Sequence, residues 1–190
     1  DASLALIHDI SPRKQAQRAS EQRARDLQTL AAASLEITAA DSREVVLQRT
    51  AERTRQLVNA NLAVIQIRTA DAAGTLGVSL TPQYDSWHDS LDRIETSGIY
   101  QLVLDKLHPV RLTQEQLLRE PGFNGFGDLD AEKLPFKGLL AVPLVGQDSE
   151  PVGVLIASGH RAGEFDADDE ALLTQLGHIA SVGLENVRLQ

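Results

Sequence analysis

Two apolar runs, Leu139–Val145 and Val152–Ala157, flank the polar break Gly146-Gln147-Asp148-Ser149-Glu150-Pro151. Short runs rich in Val, Leu and Ile around a Gly/Asp/Ser/Pro turn predict an antiparallel hairpin. The runs are nearly continuous rather than alternating, which predicts cover on both faces, as for a central strand pair. Pro143 has no N–H to donate, so it is expected at a bulge or where a partner strand has ended. A long helix follows, from about Asp168 to Leu189, with Leu172, Leu173, Leu176, Ile179, Ala180, Gly183 and Val187 along one stripe.

Toward the N-terminus the period changes. Ser11-Pro12 reads as an N-cap followed by proline in the first helical position. Nothing breaks a helix from Arg13 to about Ala39. Its first half is polar, with Arg13, Lys14, Arg18, Arg23 and Arg25 against Glu21 and Asp26. Its second half spaces Leu27, Leu30, Ser34 and Ile37 by 3, 4 and 3, a heptad-like seam of under two heptads. Asp41-Ser42-Arg43-Glu44 is a capping-box pattern opening a second helix to about Asn59. Leu62–Thr69 predicts a strand, Asp71–Gly74 a turn and Thr75–Leu80 a partner strand.

Residues 81–136 differ in character. Six of the seven aromatic residues fall here: Tyr84, Trp87, Tyr100, Phe123, Phe126 and Phe136. The pattern predicts a helix over Ser97–Leu107, a short strand at Val110–Thr113, a helical turn at Gln114–Arg119 and a loop at 121–128. Strands joined by short turns, with helices between and after them, predict an antiparallel sheet with helices on its faces, an α+β fold.

Composition narrows the chemistry. The formal net charge of −9 argues against a nucleic-acid partner. The Arg/Lys run on the first helix then reads as a solvated face. The absence of cysteine removes disulfides, thiolate metal sites and thiol nucleophiles. No apolar run approaches the ~20 residues that cross a bilayer, so no membrane segment is expected and a cytoplasmic location is. The chain begins at Asp1 and holds no Met, which predicts a piece of a longer protein.

The element order, together with three local patterns, resembles a GAF domain. The first pattern is Gly98-Ile99 through Val103-Leu104 to Pro109-Val110-Arg111-Leu112. The second is Leu140-Ala141-Val142-Pro143-Leu144 with Pro151-Val152-Gly153-Val154-Leu155. The third is Phe165-Asp166-Ala167-Asp168-Asp169 opening the last helix. The N-terminal Ile7-His8-Asp9-Ile10-Ser11-Pro12-Arg13-Lys14 resembles the end of a PAS domain passing into a signalling helix. The resemblances imply a PAS tail at 1–11, a connecting helix at 12–39 and a GAF domain at 40–190. They also imply a bacterial sensor whose output module, most often a histidine kinase, lies further along. A diguanylate cyclase or phosphodiesterase is the alternative output, and a ligand-free dimerisation spacer the alternative role. Without cysteine, covalent bilin attachment and thiol-dependent sulfoxide reduction, both known in GAF domains, are excluded.

Several motifs have plain explanations. His8-Asp9-Ile10-Ser11-Pro12 is one residue short of a histidine-kinase phosphoacceptor box, and a strand-to-helix cap suits it better. Glu164, Asp166, Asp168, Asp169 and Glu170 place negative charge at a helix N-terminus, favourable by ~0.3–1 kcal/mol per group without any metal. Phe165, Asp169 and Glu170 match the tail of the cyclic-nucleotide GAF motif, but Asn124 is followed by Gly125 instead of Lys. The glycines of PGFNGFGD fit neither G-x-G-x-x-G nor a P-loop. The five histidines, His8, His88, His108, His160 and His178, lack metal-ligand spacing; His88 beside Trp87 is the one candidate ligand.

The aromatic cluster leaves two readings open. Aromatic side chains anchor long segments onto small sheets, and they also line apolar pockets with a few placed polar groups. The pocket reading takes Tyr84, Trp87, His88, Arg93, Tyr100, Arg111, Phe123, Asn124, Phe126, Phe136 and Val142 as ligand-binding residues. No catalytic constellation is visible, so no enzyme is expected within this chain. The two terminal helices carry more apolar surface than one small sheet covers. That predicts a homodimer through Leu27, Leu30, Ser34, Ile37, Leu172, Leu176, Ile179, Gly183 and Val187.

Overall fold

The computed structural model describes residues 11–68, 75–87, 98–121, 123, 125–126, 129–130, 137–146 and 149–189. Residues 1–10 of the PAS tail expected at 1–11, and the turn at Asp71–Gly74, lie outside them. In chain order the elements are α1 (Ser11–Thr38), α2 (Arg43–Leu57), β1 (Ala60–Ile67), β2 (Thr75–Leu80), a 3-10 helix (Pro82–Trp87), α3 (Gly98–Lys106), β3 (Val110–Leu112), α4 (Gln114–Arg119), β4 (Gly125–Phe126), β5 (Leu129–Asp130), β6 (Leu139–Val145), β7 (Pro151–His160) and α5 (Ala167–Leu189).

β2-β1-β7-β6-β3 form one antiparallel sheet, so the hairpin β6–β7 is indeed central. The ladder from β3 reaches β6 only over Leu139–Ala141, so the partner strand has ended before Pro143. Proline sits where its missing donor leaves no third strand unpaired. The loop expected at 121–128 contains β4, which pairs with β5 in a small separate hairpin.

Local chemistry sets the helix starts. The Ser42 side chain accepts the Val45 N–H at 3.3 Å, capping α2. The cap is Ser42 and not Asp41, which puts Val45 where a capping box needs a returning Glu. Asp166 Oδ1 accepts from Asp168 N at 2.8 Å and Asp169 N at 3.0 Å, while Asp169 Oδ2 accepts from Asp166 N at 3.0 Å. Two acidic residues thus satisfy the orphan donors of α5 reciprocally, as expected of the acidic cluster.

Alternate strand positions face opposite layers. Leu140, Val142, Leu144, Leu155, Ala157 and Ile65 point to α1, α2 and α5. Leu139, Ala141, Val154, Ile156, Leu62 and Val64 point to the other face, which is covered by α3, α4 and the aromatic residues. Gly77 marks the closest approach of α2 to β2: a Cβ there would lie 2.6 Å from the Leu47 carbonyl carbon.

α1 and α5 run in the same direction. Leu27 and Leu30 border a groove with Asp168 and Leu172 near the start of α5. Further along, Gly183 meets Ile37, and Asn186 Nδ2 donates to Thr38 O at 3.5 Å. The residues from Pro12 to Arg25 are exposed throughout, so the front of α1 projects past the sheet.

This packing corrects the expected dimer surface. Leu30, Ile37, Leu176 and Gly183 are buried inside one chain. Leu172, Ile179 and Val187 are half-buried against the same core, and Ser34 is half-buried as well. α5 packs on the sheet while α1 packs on α2 and α5, so the helices cover for each other the stripes that the sheet alone does not. Leu27 stays 64% exposed, with Leu35 at 74%, Val182 at 52% and Leu189 at 73%.

Candidate functional site

The covered face of the sheet is built first from its floor. Leu62 and Val64 of β1, Val78 and Leu80 of β2, and Val154 and Ile156 of β7 form an aliphatic surface. α3 lays Ile99 and Val103 on it, and α4 adds Leu117. Around these, Tyr84, Trp87 and Tyr100 are half-buried, and Phe123 is buried in the cluster itself. Four of the aromatic residues expected to share a face therefore do so. The phenol of Tyr100 is pushed above its ordinary range by burial, which the positive field of Arg68 partly offsets. α3 itself lies across β6 and β7.

Two expected pocket residues belong elsewhere. Arg111 extends from the edge strand toward α5, where Nη1 donates to Phe165 O at 3.2 Å and Nε lies 3.4 Å from Glu170 Oε2. Val142 faces the helical layer, its Cγ2 lying 3.3 Å from where a Cβ on Gly177 would stand. Both follow from strand alternation: Val110 and Ala141 take the covered face, so the next residue in each strand takes the other. His88, Arg93, Asn124 and Phe136 lie outside the described residues, and Phe126 is described only as part of β4.

One residue of this face was missed. Gln66 interrupts the apolar run of β1, opposite Leu76 on β2 and Val154 on β7. It is 3% exposed, and among the described residues its Oε1 has no hydrogen-bond partner. A lone amide in a Leu-Ala-Val-Ile-Gln-Ile stretch was the available signal. Ser158 on this side is satisfied, its Oγ donating to Gly138 O at 2.7 Å.

On the helical side, His160 at the end of β7 stacks edge-on against Phe165 at 5.2 Å. His160 Nε2 lies 3.8 Å from Asp169 Oδ2. Burial raises the Asp169 carboxyl above its usual range, against the Asp166 backbone hydrogen bond that lowers it. A groove of about 470 Å³ opens beside this pair, between α1 and the start of α5. Among the described residues no group of three or more His, Asp or Glu is placed to hold a metal ion, and no helix is long and apolar enough to cross a membrane.

The family profile described as GAF domain matches residues 40–185. The chain belongs to the GAF domain family. No curated protein matches the chain. Among solved structures, it is similar to the GAF domain from a phosphoenolpyruvate-protein phosphotransferase of Coxiella burnetii, at 19% identity and a TM-score of 0.66, covering 86% of this chain and 95% of that one. It is similar to the GAF domain of a putative sensor histidine kinase from Pseudomonas syringae pv. tomato, at 20% identity and a TM-score of 0.62, covering 92% and 94%. It also resembles a free methionine-R-sulfoxide reductase from Neisseria meningitidis in complex with its substrate, at 17% identity and a TM-score of 0.66, covering 86% and 90%. At these identities the likeness establishes the GAF fold, and a fold shared by such different proteins does not choose among their activities. GAF domains are regulatory sensor domains of signalling proteins, and that broad role extends to this chain.

Proposed function

We propose that this GAF domain is the sensor of a dimeric signalling protein, holding a small ligand on the covered sheet face and passing its state through α1 and α5 to an output module. The observation that carries this is the division of the sheet. One face bears the aromatic cover, and the other bears α2 and α5, with α1 lying along α5 in the same direction. A change of packing on one face reaches the other through a single layer of strands. Arg111 adds a direct tie, since it leaves the edge strand that follows α3 and grips the start of α5. Only a few kcal/mol of differential binding is needed to bias a two-state element of this kind.

The domain itself catalyses nothing in this reading. The parent protein is a cytoplasmic sensor, with the PAS tail upstream and a histidine kinase downstream. Exposed Leu27, Leu35, Val182 and Leu189 are the surface through which two copies pair. Native mass spectrometry of protein purified from cells tests the ligand: a stoichiometric small molecule supports sensing, and a bare chain supports the ligand-free spacer. Light scattering tests the pairing: a dimer that Leu35→Glu with Val182→Glu converts to monomer supports it, and a strict monomer refutes it. Autophosphorylation of the full-length protein from ATP supports the kinase output, whereas turnover of GTP to a cyclic dinucleotide refutes it.

A further inference from the structure

We infer that the side-chain oxygen of Gln66 is the acceptor for a ligand on the covered face, and that this ligand is an uncharged, flat, largely apolar molecule carrying an N–H or O–H donor. The inference rests on the reading that this face binds a small molecule.

The strand itself has no need of an amide at this position. Leu62 and Val64 occupy the same face of β1, and the cross-strand neighbours of Gln66 are Leu76 and Val154. An aliphatic side chain would continue that surface. The amide instead buries Oε1 with no partner among the described residues, forfeiting its hydration without a replacement bond there. Thr54 Oγ1 is the other such atom among the described residues. It belongs to α2, in the opposite layer. On the covered face Ser158 is already bonded, and Gln66 Oε1 is an open acceptor among the described residues.

The surroundings select the ligand class. An acceptor calls for a donor. Among the described residues no charged side chain is buried and the floor beside Gln66 is aliphatic, so an uncharged ligand loses the least hydration here. The aliphatic floor and the rings of Trp87, Tyr100 and Phe123 favour a flat apolar body. Indole has this chemistry, and 1-methylindole has the same ring system without the donor.

The test is calorimetric titration of the purified chain with indole and with 1-methylindole, repeated on Gln66→Met. Wild type is expected to prefer indole by about tenfold, the value of one neutral hydrogen bond. Gln66→Met is expected to bind both equally. The ligand-free variant is also expected to melt roughly 2–6 °C above wild type, because an unmade buried bond has been removed. Equal binding of the two compounds by wild type overturns the role of Gln66 and leaves the ligand face standing. Binding of neither at millimolar concentration overturns the ligand class, while the native mass spectrum decides separately whether the face holds anything. A lower melting point for Gln66→Met shows that Oε1 is satisfied in solution and overturns the inference as well.

Discussion

Gly183 lies where α5 crosses α1, and adding one methyl group there tests how tightly the terminal helices are joined. A Cβ on Gly183 would stand 2.8 Å from Ile37 Cγ2, 3.1 Å from Ile37 O and 3.4 Å from Val46 Cγ1. Ile37 is wholly buried, and its branched side chain has little rotamer freedom in a helix. The second contact is backbone, so relief requires α1 to move. Overpacking of a core costs about 1–3 kcal/mol, and a backbone contact places Gly183→Ala at roughly 2–3 kcal/mol. Against this, Ala gains about 1 kcal/mol over Gly inside a helix. The net is a loss of about 1–2 kcal/mol, a fall in Tm of roughly 2–8 °C for a chain of this size. Gly177, six residues earlier in α5, is the control. A Cβ there meets the ends of side chains, Val142 Cγ2 at 3.3 Å and Leu144 Cδ2 at 3.5 Å. Those ends can yield by a few tenths of an ångström, so Gly177→Ala is expected to fall between no change and a gain of about 1 kcal/mol. Urea unfolding followed by circular dichroism measures both variants. The reasoning is refuted if Gly183→Ala equals or exceeds wild type, or if Gly177→Ala loses more than Gly183→Ala.

Three further outcomes follow from the same contacts. Removing the cap with Asp166→Ala is expected to cost about 1 kcal/mol and to raise amide exchange in the first turn of α5, read by hydrogen exchange. The Arg53 hydrogen bond holds the half-buried Glu36 carboxyl below its ordinary range. The unfolded chain therefore takes up this proton first, and the contribution of Glu36, complete above the ordinary glutamate range, is lost as pH falls through its lowered folded value; Glu36→Gln should flatten that part of the acid unfolding curve. Asp169 has the opposite sign: burial raises its folded pKa, so the folded state takes the proton first, and wild type should gain stability relative to Asp169→Asn as pH falls through that raised value toward the ordinary aspartate range.

The order of elements was legible in the sequence because it depends on local rules. Apolar periodicity, the turn around Gly146–Pro151 and the acidic start of α5 fix which segments become strands and helices, whatever they later touch. The bounds of β2, β6 and α4 match those read from the chain, and the patterns around the β6–β7 hairpin were specific enough to point to the GAF family. The clustering of aromatic residues in 81–136 likewise foretold that Tyr84, Trp87, Tyr100 and Phe123 would meet on one side of the sheet.

What each side chain faces was settled by the tertiary structure. Arg111 and Val142 lie next to residues of the covered face, yet strand alternation turns them to the helices, and one position of register decides that outcome. The stripes on α1 and α5 looked unburiable while each helix was set against the sheet alone. Their mutual packing hides Leu30, Ile37, Leu176 and Gly183 within a single chain, because two parallel helices provide the second surface that a sequence does not display. Gln66 carried a visible sign, an amide in an apolar run, but the lack of a partner for its oxygen depends on three neighbouring strands meeting in one register.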